Sequence, residues 1–252
     1  MKSGFVSAGG HSLEYQLFPA HQINRPTLVL LHEGLGSVAM WRDFPARLAS
    51  ATGCRTLVYS RYGYGQSDLL EAPFGTDYMH REGRDTLPEL LAALEIETPV
   101  LVGHSDGATI ALLHAAHHAV TATVVMAPHV FVEDVAIQAI AAARDAYDQG
   151  LRERLARHHA DVDNAFRQWN DVWLSEAFRR FDIRTECSRI TTPLMLVQGR
   201  QDEYGTLEQL RAIERAVPQA ATLELDDCGH SPHKDHPESL TAAVTGFLAA
   251  FP

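Results

Sequence analysis

The chain has 252 residues, 46% of them hydrophobic and 21% charged, with a formal net charge of -11. That is ample for one large core, and too short for two full enzyme domains unless one is an insertion. The composition excludes a disordered chain, and the charge argues against binding nucleic acid or an anionic membrane through the whole-protein field.

The opening "MKSGFVSAGG" has no apolar signal-peptide core. The longest apolar runs fall far short of the ~18 residues that a membrane helix needs. "HSLEYQLF" (11–18) alternates apolar and polar residues after a "GG" turn, which predicts an opening hairpin. "TLVLL" (27–31) is a short continuous apolar run, as a strand buried on both faces should be. A helix is expected over about 38–50, followed by a strand at "RTLVYS" (55–60). "GRDTLPELLAALEI" (83–96) has helical spacing, with Pro88 acceptable near the helix start or as a kink. Strand "PVLVG" (99–103), alanine-rich helix "DGATIALLHAAHHA" (106–119) and strand "ATVVMA" (122–127) follow. "PLMLVQG" (193–199) and "ATLELD" (221–226) read as later strands, each followed by a helical pattern, the last of these over about 237–250. The alternation implies an α/β fold: a mostly parallel central sheet with helices on both faces.

From residue 131 to 187 no strand is convincing. A loop that long must have structure of its own, so it reads as an inserted helical lid over the C-terminal edge of the sheet. The expected organisation is a core of residues 1–130 and 188–252, with residues 131–187 as the lid. Cys54, Cys187 and Cys228 are widely spaced with no C-x-x-C pair, and read as reduced thiols of a cytoplasmic protein.

The chemistry begins at "VGHSDGA" (102–108), where a histidine, a serine and an aspartate stand side by side. G-x-S-x-G between a strand and a helix is the context of a nucleophile elbow, with Ser105 at a helix N-terminus that favours developing negative charge. Residues adjacent along a sharp turn point in different directions, so His104 and Asp106 cannot easily serve Ser105. His104 is expected to pack beside the elbow, and Asp106 to open the helix through its carboxylate. Asp106 can also lend its backbone N–H to an oxyanion hole, because it follows the nucleophile. The acid and then the histidine should each follow a later strand. "PLMLVQGRQDEYG" offers Asp202 for the acid, ahead of Glu203, Asp226, Asp227 and Asp134; "ATLELDDCGHSPH" offers His230 for the base, ahead of His233 and His236.

With "LLHEGLGS", "RYGYGQSD", "VGHSDGA", "QGRQDEYG" and "CGHSPH" in hand, the chain resembles the α/β-hydrolase superfamily, in its capped esterase-like branch. The resemblance spans residues 30 to 233. It implies the triad Ser105, Asp202 and His230, with no cofactor and no metal. The family's oxyanion loop usually begins His-Gly, whereas here it begins His32-Glu33-Gly34. By position Gly34 should donate the second oxyanion hydrogen bond, or Leu35 if the loop is rebuilt around Glu33. Glu33 reads either as a carboxylate paired with a nearby basic residue or as a group beside the site that tunes His230 or contacts substrate. "RYGYGQSD" matches a structural loop in which an arginine ties neighbouring loops together.

Phe166, Trp169 and Trp173 share one helical face. They either pack the lid onto the body or line an apolar pocket, with Asn170 and Asp171 as polar candidates between them. His114, His117 and His118, and the cluster "HHADVD" (158–163), invite a metal, but the first helix is mostly buried and no functional metal is expected.

The activity implied is that of a serine hydrolase, a carboxylesterase acting on small or medium apolar esters. C–C bond hydrolysis of ring-fission products, lactonase and thioesterase chemistry use the same triad and stay open, as does a non-enzymatic ligand receptor on the same fold. Dehalogenases and epoxide hydrolases of this fold place Asp where this chain has Ser105. The partner expected is a small-molecule ester, without nucleic acid or membrane insertion.

Overall fold

The computed structural model describes residues 1–22 and 24–251; positions 23 and 252, which fall within the expected core spans, lie outside the described residues. Strands β1 (Lys2–Ala8), β2 (His11–Phe18), β3 (Leu28–Leu31), β4 (Thr56–Tyr59), β5 (Val100–His104), β6 (Ala122–Met126), β7 (Leu194–Gly199) and β8 (Ala221–Leu225) form one sheet. Its order is β1-β2-β4-β3-β5-β6-β7-β8. The β1–β2 and β2–β4 pairs are antiparallel, and every pair from β4 across to β8 is parallel. The expected hairpin is β1–β2: Ala8 pairs with His11, and Gly9 and Gly10 between them both have positive φ, as a two-residue hairpin turn demands.

The helices are α1 (Phe44–Thr52), α2 (Tyr78–Arg81), α3 (Leu87–Ala93), α4 (Asp106–Ala115), α5 (Asp134–Ala146), α6 (Leu151–Leu155), α7 (Val162–Trp173), α8 (Arg184–Cys187), α9 (Glu208–Ala216), α10 (Pro232–Asp235) and α11 (Pro237–Leu248). The apolar runs β3 to β6 are buried throughout because each face of the sheet carries its own core. On one face Leu28, Leu30, Val100 and Val102 pack with Leu48 of α1 and Leu240 and Val244 of α11. On the other, Val29, Leu31 and Leu101 pack with Leu90 of α3, Leu113 of α4 and Ile213 of α9. Parallel strands under helices place the loops after β3, β5, β7 and β8 at one edge, where ligand sites of open α/β sheets form.

The region around Pro88 shows how the fold absorbs a residue that breaks helices. Between α2 and α3 the backbone makes a π-turn over Glu82–Thr86, and the Leu87 N–H donates to the Glu82 carbonyl. That frees the Gly83 carbonyl, and Pro88 has no N–H to offer the Arg84 carbonyl. A histidine of α4 and one in the turn after it take these places: His114 Nδ1 lies 2.9 Å from the Gly83 oxygen and His118 Nε2 lies 3.1 Å from the Arg84 oxygen. Their rings stack at 4.7 Å. Burial pushes the His114 ring down to about 4, so it stays neutral and donates. These histidines therefore serve carbonyls freed by the π-turn. His114→Ala should cost about 2 kcal/mol, the penalty of an orphaned buried carbonyl. The check is the urea midpoint at unchanged slope; no shift in midpoint would mean that the carbonyl has another donor.

Residues 131–187 carry α5 to α8 and no strand, apart from one bridge between Phe131 and Asp182 near the two ends of the segment. Asn170 lines neither of the two cavities described below, whereas Asp171 borders one that Ser105 does not line. Arg144 Nε donates to the Asn170 side-chain oxygen, Asn170 Nδ2 donates to the Ile140 carbonyl at 3.0 Å, and Asp171 accepts from Arg144 at 2.6 Å. Both residues tie α7 to α5.

Candidate active site

β5 ends in the sharp turn at Ser105, whose φ of 54° and ψ of -119° lie in a region that L-residues rarely adopt. Such backbone strain costs of order 1–3 kcal/mol and persists only where packing over-determines it. Two glycines make the turn sterically feasible. A Cβ on Gly107 would stand 2.0 Å from the Leu31 carbonyl oxygen, and one on Gly103 would stand 2.3 Å from the Gly107 oxygen. The Ser105 N–H donates to the Met126 carbonyl at 2.9 Å, which fixes the turn against β6.

The loops after β7 and β8 bring two partners to this serine. His230 Nε2 lies 2.9 Å from Ser105 Oγ, and His230 Nδ1 lies 2.8 Å from Asp202 Oδ1. Asp202 Oδ1 also accepts from the Tyr204 N–H at 2.8 Å and the Gly205 N–H at 3.3 Å, and Gln198 Nε2 reaches Oδ2 at 3.2 Å. Burial alone would raise the Asp202 carboxyl; the hydrogen bond and charge of His230 and the Tyr204 N–H outweigh it and hold the carboxyl below the usual range. Three of the four competing acids have other partners. Glu203 accepts from the His230 backbone N–H, Asp226 pairs with Arg200 and Asp134 pairs with Arg179. His233 is buried against Trp41, and His236 donates to the Asp227 carbonyl.

The loop after β3 is held by Arg61, the arginine of "RYGYGQSD". Its guanidinium donates to the carbonyls of His32 and Glu33, and its backbone N–H donates to His32 Nε2 at 3.0 Å. His32 Nδ1 in turn donates to the Glu33 carbonyl at 2.7 Å. Among the described residues the backbone N–H groups of Gly34, Leu35 and Asp106 have no protein acceptor. The Glu33 carboxylate meets two basic side chains, with Oε2 3.5 Å from His104 Nδ1 and Oε1 3.7 Å from Lys234 Nζ. Burial would raise this carboxyl, but His104, Lys234 and His233 together hold it well below its ordinary value.

Asp106 opens α4 as its acidic first residue. Its carboxylate also accepts from the Tyr78 hydroxyl, which itself accepts from Trp173 Nε1 at 3.1 Å. The side chain is buried beneath the elbow, where burial raises its carboxyl although the Arg61 charge opposes this.

Trp169 and Trp173 of α7 both face this region and are almost fully buried. The Trp169 indole presses so closely on the loop after β3 that a Cβ on Gly34 would lie 2.3 Å from it. Trp173 stands edge-on to His129 at 5.1 Å. His129 is buried with its Nδ1 unpartnered, and burial pushes its ring down to about 3. His159, from the "HHADVD" cluster, is a bridge: Nδ1 accepts from the Gly65 N–H at 3.1 Å and Nε2 donates to the Leu35 carbonyl at 3.0 Å. No group of His, Cys, Asp and Glu with metal-ligand geometry occurs among the described residues. A cavity of about 530 Å³ lies between residues 70–76 and the Arg167 and Gln168 side of α7, and one of about 300 Å³ borders Arg61, Phe74 and Tyr78. Ser105 lines neither of them and is itself 7% exposed.

A model of the alpha/beta hydrolase family matches residues 28–244, most of the chain and the whole set of loops just described. The chain belongs to the alpha/beta hydrolase family. It is similar to a putative carbamate hydrolase, RutD, of Pseudomonas syringae pv. syringae, at 27% identity over 269 aligned positions that cover 94% of this chain and 99% of the relative. It is also similar to the mouse sn-1-specific diacylglycerol lipase ABHD11, at 25% identity over 89% of this chain and 81% of the relative. In structure it resembles the enol-lactonase of Burkholderia xenovorans LB400, with a TM-score of 0.78, 19% identity and coverage of 98% and 100% of the two chains. That likeness concerns the fold.

Proposed function

We propose that the protein is a serine hydrolase, a carboxylesterase acting on small or medium apolar esters through an acyl-enzyme. The observation that carries this reading is the hydrogen-bonded row Asp202–His230–Ser105, at 2.8 and 2.9 Å, ending on a serine held in a strained turn. In this reading Ser105 Oγ attacks the ester carbonyl while His230 Nε2 takes its proton, and Asp202 keeps the other ring nitrogen protonated. The oxyanion is held by the backbone N–H groups of Asp106 and Gly34, with Leu35 as the alternative second donor. His230 then returns the proton to the departing alkoxide, and water repeats the sequence on the acyl-enzyme.

Residues 131–187 act in this proposal as a lid. His159 and Gln168 fasten it to the loops at 35 and 63–65, and Leu35, Trp169 and Trp173 give the substrate apolar walls. The low exposure of Ser105 favours small acyl groups. Cys54, Cys187 and Cys228 are free and buried, which supports the proposed cytoplasmic location. No described helix is long and apolar enough to cross a membrane.

The test is a panel of p-nitrophenyl esters of increasing acyl length, run beside a lactone, a thioester and a carbamate, the last chosen for the RutD relatives. Repeated turnover highest on short esters is expected. A single stoichiometric reaction without turnover would favour the receptor reading. Trp169→Ala should move the preference toward longer acyl groups by about tenfold in relative kcat/KM, because it opens the wall over Gly34. Unchanged selectivity together with several kcal/mol of lost stability would make Trp169 a packing residue only.

A further inference from the structure

His104 stands next to the serine in sequence, and its ring points the other way, toward the loop after β8. Its Nε2 lies 2.7 Å from the backbone carbonyl of His230. A carbonyl only accepts, so Nε2 carries the proton. In a neutral ring Nδ1 would then be a bare acceptor; it makes no hydrogen bond and faces the Glu33 carboxylate at an ion-pair distance of 3.5 Å. Two acceptors so placed in a buried site repel each other, and His104 is only 1% exposed. The arrangement is consistent when both nitrogens of His104 carry protons and the ring pairs with Glu33. Lys234 approaches the other Glu33 oxygen, and the remaining titratable groups around His104 are His230, His233 and His129.

We propose that Glu33 and His104 form an ion-paired strut that positions His230: Glu33 holds the His104 ring, and His104 Nε2–H holds the His230 backbone carbonyl. The proposal rests on His230 being the base of the reaction. The other backbone group of His230 is held as well, its N–H donating to Glu203 Oε2 at 3.1 Å. The residue that must keep its ring within hydrogen-bonding distance of Ser105 is thus clamped on both sides of its Cα by side chains from other loops. Glu33 and His104 act through His230 and touch no reacting atom, so they are positioning residues. This gives the carboxylate at position 33 a task other than substrate contact.

The test combines ¹⁵N-histidine NMR with the rate at which a fluorophosphonate labels Ser105 and with ester kinetics. In the wild type both His104 nitrogens should be protonated, and Glu33→Gln should return the ring to the singly protonated Nε2–H form. His104→Ala should slow labelling and kcat by about 10²-fold, the scale of a reacting group misplaced by about 1 Å, with KM nearly unchanged. His104→Gln, whose carboxamide can still donate to the carbonyl, should recover about tenfold of that loss. A bare Nδ1 in the wild type overturns the strut. So does labelling of His104→Ala at the wild-type rate, or a His104→Gln variant as slow as alanine. If the probe fails to label wild-type Ser105 at all, the hydrolase reading falls, and the His104 resonances alone decide whether the ion pair exists.

Discussion

Replacing Ser105 with alanine should lower kcat by about 10⁴-fold or more and leave the fold intact. On the transition-state scale that is about 5.5 kcal/mol, far beyond the effect of a lost surface hydrogen bond. Alanine is the right control because it keeps the Cβ and with it the strained backbone at φ 54°. It removes only Oγ, whose protein partner is His230 Nε2 at 2.9 Å. Glycine at the same position separates the two contributions: it removes the nucleophile and also relieves the positive φ. Ser105→Gly should therefore be as inactive as Ser105→Ala and more stable by about 1 kcal/mol. Thermal unfolding and ester turnover on the three proteins check both parts. Retained turnover in the alanine variant would move the nucleophile elsewhere. A glycine variant no more stable than alanine would mean that the turn stores no strain.

Asp202→Asn should cost kcat by about 10³–10⁴-fold, the scale known for a triad histidine driven into the wrong tautomer. The surroundings of Asp202 offer only donors. His230 Nδ1, the Tyr204 and Gly205 N–H groups and Gln198 Nε2 all point at its two oxygens. Gln198 cannot turn its amide over without loss, because the same nitrogen donates to the Gly205 carbonyl at 2.8 Å. An asparagine NH₂ must therefore face a donor. Directed at His230, it forces that ring to carry its proton on Nε2, where it cannot accept from Ser105.

The carboxylate also links stability to pH. Its folded value lies below the ordinary one, so its contribution is complete above the unfolded carboxylate range and is lost as pH falls through the folded value. The wild type should thus lose more stability than Asp202→Asn on acidification below about pH 4. Urea midpoints across that range provide the check, and parallel acid curves would contradict it.

The strands, and the loops that bring Ser105, Asp202 and His230 together, are legible because they are local signals: apolar runs, Gly and Pro punctuation, and a motif at a strand-to-helix junction. The hairpin at Gly9-Gly10 and the helix start at Pro237 belong to the same class. What stayed hidden depends on side chains that meet backbone far away in sequence. Pro88 was readable as a helix disturbance, but nothing local reveals that His114 and His118, about thirty residues on, cover the freed carbonyls. Asp106 reads as a helix-opening carboxylate and does open α4, but Tyr78 and Trp173, which meet its side chain, come from two other helices. Asn170 and Asp171 lie between aromatic residues and read as pocket polarity; Asp171 does border a cavity, but Arg144, which binds both, sits a helix away. His129 carried no signal, since a lone histidine after a strand has no spacing to read. Glu33 was visible as an odd residue in a glycine-rich loop, and only the packing of α10 and the elbow supplies its partners Lys234 and His104.

An acyl-enzyme on Ser105 would be caught by mass spectrometry of protein quenched during the first turnover of p-nitrophenyl acetate. One acetyl group per chain is expected in the wild type, mapped to the peptide that contains Ser105 and absent from Ser105→Ala. Acetyl on another residue, or full turnover with no covalent intermediate on Ser105 at the earliest quench times and none accumulating in a His230→Ala variant, would contradict the proposed acyl-enzyme.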